Sequence, residues 1–83
     1  MRLARHVKFR EEKFGGVLFE TRSEKVYTLT PTAAAVVQEV AAGRAVSEIG
    51  PALAQRFSAA DGTVEREVRE FIAELREKGL VED

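Results

Sequence analysis

Glu24-Lys25-Val26-Tyr27-Thr28-Leu29-Thr30-Pro31-Thr32 changes its conformational preference partway along, and that change decides the fold. Val26, Tyr27, Thr28 and Leu29 are β-branched or bulky, so they suit a pleated, half-buried surface. Alternation places Tyr27 and Leu29 on one face of the strand and Val26 and Thr28 on the other. Pro31 ends the ladder because it lacks an N–H. Its fixed φ fits the first position of a helix, with Thr30 as the N-cap. The residues therefore predict a strand over 25–29, the last of a small sheet, with a backbone edge left free for another chain.

Two more strands precede it. In His6-Val7-Lys8-Phe9-Arg10, Val7 and Phe9 share one face and basic residues hold the other, the pattern of a strand with one wet side over 6–10. Glu11-Glu12-Lys13 breaks the alternation, and Gly15-Gly16 permits positive φ or a bulge. Val17 to Thr21 then resumes a strand over 17–21, and the polar link Thr21-Arg22-Ser23-Glu24 is of hairpin length. Residues 1–5 are expected to fray.

Three helices follow. Ala33, Ala34, Val36, Val37, Val40 and Ala41 form one broad apolar face over 31–42, and Gly43 stands where a helix C′ glycine belongs. Val46, Ile49, Leu53 and Phe57 mark a second helix over 47–57, with Pro51 near its first turn making an irregular start. Asp61-Gly62-Thr63 reads as turn and cap. The third helix, over 63–78, carries Val64, Val68, Phe71, Ile72 and Leu75 on one stripe and stops at Gly79, so that Leu80 and Val81 pack back. The order predicts one α+β domain of winged helix-turn-helix type, a three-stranded antiparallel sheet followed by three helices.

At 83 residues the chain can bury only a modest core. It has no cysteine, which removes disulfides, thiolate metal sites and cysteine nucleophiles and fits a reducing cytoplasm. No apolar run approaches the ~20 residues that span a bilayer, and no targeting segment is visible, so a soluble chain without membrane contact is expected. The net charge of −1 gives no general attraction to nucleic acid. Residues 1–30 hold seven Lys/Arg and four Glu (+3), and residues 31–83 hold six Lys/Arg and ten Asp/Glu (−4), so a basic sheet half joins an acidic helical half.

Enzymatic chemistry has little to work with. His6 is the one histidine and lacks a partner at metal-ligand spacing. Glu65, Glu67, Glu70, Glu74 and Glu77 alternate with Arg66, Arg69, Arg76 and Lys78, which fits ion pairs on a wet helix face better than paired catalytic carboxylates. Gly15-Gly16 lacks the rest of a phosphate loop. No catalytic residue, metal or cofactor is expected.

Two binding functions compete, with a bare structural or dimerisation module as a third reading. A DNA-binding regulator needs a basic recognition helix, because phosphate neutralisation supplies most of the affinity. Residues 61–78 hold six acids and four bases, which would repel phosphate. The open edge offers the other function, capture of an extended peptide as an added strand in a groove beside a helix. About four or five main-chain hydrogen bonds at ~0.5–1.5 kcal/mol each and two aliphatic anchors at ~1.5–3 kcal/mol each outweigh the cost of association. Micromolar affinity, roughly −8 kcal/mol, would remain. Self-association through the same edge would instead give a homodimer.

Val26-Tyr27-Thr28-Leu29-Thr30-Pro31-Thr32-Ala33-Ala34, with the order of elements and the Leu75-to-Leu80 ending, resembles the pyrroloquinoline quinone biosynthesis protein D family. That resemblance covers nearly the whole chain. It implies a non-catalytic domain that takes the leader of a ribosomal precursor peptide as a fourth strand and presents it to a modifying enzyme, often a radical S-adenosylmethionine protein. By the same resemblance the leader would lie along Lys25, Val26, Tyr27, Thr28 and Leu29. Val64, Glu65, Val68, Arg69 and Ile72 of the third helix would close the groove.

Overall fold

The computed structural model of the chain describes residues 1–57 and 62–82. In chain order the elements are β1 (Arg2–Leu3), β2 (Val7–Glu12), β3 (Gly15–Glu20), β4 (Lys25–Leu29), α1 (Pro31–Ala41), α2 (Val46–Arg56), α3 (Thr63–Glu77) and β5 (Val81–Glu82). β2, β3 and β4 form an antiparallel sheet in that order and the three helices follow, an α+β winged helix-turn-helix architecture. The register sets Leu18 against Tyr27 and Phe19 against Val26, which fixes the faces of the sheet. Leu18 and Leu29 are buried beneath α1, Tyr27 is half-buried, and Val26 and Thr28 are exposed on the far side.

The first hairpin is tighter than the sequence suggested. Glu11-Glu12 does not break β2, because Glu11 pairs with Gly16 and Glu12 with Gly15, leaving Lys13 and Phe14 as the turn. Gly15 makes this possible at φ 143°, where a side chain would run into the backbone of the strand-to-helix junction. Gly16 has the complementary task. A β-carbon there would stand 2.7 Å from the Phe9 ring and 3.3 Å from Ala34, so the bare backbone lets α1 lie close on the sheet.

The core is built from the small apolar face of α1 (Val36, Val37, Val40), Ile49 and Leu53 of α2, and Val68, Ile72 and Leu75 of α3. Thr30 caps α1, its hydroxyl accepting from the Ala33 N–H at 3.2 Å. Thr30→Ala should lower stability by about 1 kcal/mol, read as a lower urea midpoint with unchanged slope, and Thr30→Asp should restore it. α1 and α3 end alike. Arg44 N–H reaches the Glu39 carbonyl at 3.1 Å and Leu80 N–H reaches the Leu75 carbonyl at 2.9 Å, both across a left-handed glycine.

Three expectations need correction. Residues 1–5 are not frayed: Arg2 and Leu3 pair with Glu82 and Val81 in a second, two-stranded sheet, and Ala4 N–H donates to the Leu80 carbonyl at 2.9 Å. The end of α3 folds back far enough to supply that partner, a long-range pairing invisible to local pattern. Helix α2 starts at Val46, so Pro51 lies inside it and the Ser47 carbonyl loses its usual donor. Phe57 caps α2 at 38% exposure, outside the buried stripe, with the Arg56 guanidinium 5.6 Å from its ring centre. Asp61 of the expected turn lies outside the described residues, and Gly62 occupies the N-cap of α3 at φ 79°. No helix among the described residues is long and apolar enough to cross a membrane.

Candidate functional site

β4 is an edge strand, pairing with β3 alone among the described residues. Which of its backbone groups face outward follows from the other side of β3. Thr21 N–H donates to the His6 carbonyl at 2.8 Å, one step beyond the Val7–Glu20 pair. Alternation along β3 then turns the main-chain groups of Phe19 and Val17 toward β2 and those of Glu20, Leu18 and Gly16 toward β4. Their partners Lys25, Tyr27 and Leu29 are consumed in the ladder. Val26 and Thr28 therefore offer their N–H and C=O groups to the open side.

The two ends of this edge are held by different means. At the Lys25 end, the Ser23 hydroxyl donates to the Glu20 carboxylate, which also accepts from the Arg22 N–H at 2.7 Å and the Ser23 N–H at 3.1 Å. The Ser23 hydroxyl bond is the largest of the causes that hold the Glu20 carboxyl below its ordinary pKa, with the two N–H bonds behind it. This caps a turn in which Glu24 adopts φ 63°, uncommon for a non-glycine residue. At the Leu29 end, Pro31 starts α1 and the edge stops.

Beside β4 runs α3, and between them lie two small hollows of about 150 Å³ each. One sits between Tyr27 and Leu29 on the strand and Phe71, Glu74, Leu75 and Lys78 on the helix. The other continues past the strand's end, between Thr30, Ala33 and Val36 on one side and Glu67, Val68 and Phe71 on the other. Phe71 is common to both, a half-buried ring at the centre of one apolar trough. A vacant main-chain edge lying along an apolar trough is the geometry that accepts an extended polypeptide.

The strand residues named from the sequence, Lys25 to Leu29, are β4 itself. The helix residues are divided. Val68, buried in the stripe, borders both the trough and a separate cleft of about 440 Å³ between α3 and α2, Glu65, Arg69 and Ile72 line that cleft alone, and Val64 is buried in the core. At about 100° per residue, 65, 69, 72 and 76 project from one flank of α3 and 67, 71, 74 and 78 from the other, with the buried stripe between them. The flank that meets β4 is the second. The sequence spacing puts Phe71 on the core stripe and Glu67, Glu74 and Lys78 on a wet face; an aromatic among charges at spacings of four, three and four is the signal it offers for this flank. The expected ion pairs of α3 are also open, since Glu65, Arg66, Arg69, Glu70, Glu74 and Lys78 make none within 4.0 Å among the described residues.

A three-stranded wing with a vacant edge beside the third helix makes this a winged helix-turn-helix protein of the α+β class. The chain belongs to the coenzyme PQQ synthesis protein D (PqqD) family, whose model matches residues 15–81. Its fold is similar to that of TbiB1 in complex with the TbiA(beta) leader peptide, at TM-score 0.85 and 24% identity over 99% of this chain and 95% of that one. It is likewise similar to lasso peptide synthetase B1 complexed with the leader peptide, at TM-score 0.82 and 24% identity over 99% and 96%. SuiB of Streptococcus suis shares the fold at TM-score 0.52 and 20% identity, over 95% of this chain and 22% of that longer one. No curated protein matches the sequence.

Proposed function

We propose that residues 1–83 act as one non-catalytic recognition domain that captures the leader of a ribosomal precursor peptide as a strand added to β4. It would present that peptide in the cytoplasm to a modifying enzyme, for which a radical S-adenosylmethionine protein is the leading candidate. The observation that carries this reading is the coincidence of the outward main-chain groups of Val26 and Thr28 with the apolar trough against α3. Family membership supports it, as do two similar folds that hold leader peptides. A DNA-binding role is disfavoured by α3 itself: residues 63–77 carry five Glu against three Arg, and Arg69 is turned toward α2.

Calorimetric titration with the leaders of short precursor peptides encoded near this gene tests the proposal. Micromolar binding with a negative heat-capacity change is expected. Phe71→Ala should weaken that binding about tenfold, corresponding to ~1.5 kcal/mol of lost apolar contact, while shifting the melting temperature little because the ring is only half-buried. Absence of binding by the parent chain would overturn the proposed function. An unchanged affinity in Phe71→Ala would remove the trough from it.

A further inference from the structure

Glu67 stands apart from the other carboxylates of α3 that border a hollow. Glu65 has Arg69 four residues on, and Glu74 has Lys78 four residues on. Glu67 has Thr63 and Phe71 at that spacing and Val64 and Glu70 at three, so no cation on its own helix can reach it by helical neighbourhood. It also enters no ion pair with any other element among the described residues. Yet its exposed side chain lines the hollow at the Leu29 end of the trough, together with the apolar residues Ala33, Val36, Val68 and Phe71 and with Thr30 and Thr32.

An apolar walled hollow with one uncompensated carboxylate at its mouth discriminates among side chains. A purely apolar residue would strip water from the carboxylate and give nothing in return. A lysine or arginine lays its aliphatic stem along the walls and brings its charged head to the carboxylate. We infer that Glu67 and the hollow beneath it form a seat for a basic side chain, so that the peptides this chain selects carry Lys or Arg next to their strand-forming, apolar segment. This rests on the proposed peptide-binding function and specifies its substrate class. The sheet is antiparallel throughout, and a strand added in that sense reaches the hollow with the residue on the N-terminal side of the segment paired with Thr28.

The rival role for Glu67 is a merely structural one, a negative charge near the N-terminus of α1, which has no acidic residue in its first turn. A reciprocal charge test separates the two. A displayed library of random short peptides is selected in parallel on the parent chain and on Glu67→Lys. The parent pool should be enriched in Lys or Arg at one position beside apolar residues, and the Glu67→Lys pool should carry Asp or Glu there instead. A parent-selected peptide, resynthesised with that Lys changed to Gln, should bind the parent about five- to tenfold more weakly and bind Glu67→Gln as the Lys form does. Two pools of the same charge composition, or an equal loss on parent and Glu67→Gln, would overturn the seat while leaving peptide capture standing. Failure of either chain to enrich any peptide would bring down the capture function together with it.

Discussion

Val26→Pro is expected to weaken leader binding about a hundredfold while leaving the protein folded. The Val26 N–H points away from β3, so its loss removes nothing from the ladder that holds the wing together. Proline is tolerated on an edge strand for that reason. An incoming peptide, however, would meet a ring where a donor stood, and one of its carbonyls would be left without a partner at a cost of ~1–3 kcal/mol. Tyr27→Pro makes the contrast, since the Tyr27 N–H faces β3 and its removal should destabilise the sheet itself. Calorimetry on Val26→Pro, with a thermal melt alongside, decides the matter. Parent-like affinity in a folded Val26→Pro would mean that the peptide does not enter as a strand on this edge.

Gly15→Ala should cost stability most, about 3 kcal/mol or more, a large share of what holds a domain of this size together. The backbone there sits at φ 143°, and an added β-carbon would fall 2.2 Å from the Leu29 carbonyl oxygen, 2.6 Å from the Thr30 carbonyl carbon and 2.9 Å from the Pro31 nitrogen. All three are main-chain atoms at the point where β4 becomes α1, so no side chain can swing aside. A urea titration followed by circular dichroism reads the effect. A midpoint equal to the parent's would show that the hairpin and the junction do not press on each other as described. Gly43→Ala is the matching control: a β-carbon meets nothing within 4 Å there, leaving only the cost of a left-handed residue.

These two positions lie on either side of a division in what the residues say. The change of period between Leu29 and Pro31 was legible because it is local. A donorless proline, a capping threonine and a β-branched run act on their own neighbours, and β4 and the start of α1 fall at the residues that pattern names. The stops of α1 and α3 were legible for the same reason, since a glycine after an apolar stripe satisfies the last carbonyls through the backbone alone. The pairing of Arg2–Leu3 with Val81–Glu82 was not, because neither pair has enough residues to carry a strand pattern and their meeting depends on where α3 ends.

The trough divides in the same way. Lys25 to Leu29 could be named from the strand, and the amphipathic stripe of α3 from its spacing. The flank of α3 that meets β4 could not be read, because both flanks bordering the buried stripe set one apolar residue among charges at spacings of four, three and four, Ile72 on one and Phe71 on the other. Only the crossing of α3 over α1 and α2 turns Glu67, Phe71, Glu74 and Lys78 toward the open edge and Glu65 and Arg69 away from it. The sequence by itself determined the three strands of the wing, the three helices, their order and the strand whose edge is exposed, since those depend on interactions between residues close along the chain. The tertiary structure alone decided what faces that edge, since the rotation of a packed helix about its axis is fixed by the whole core and by no residue of its own.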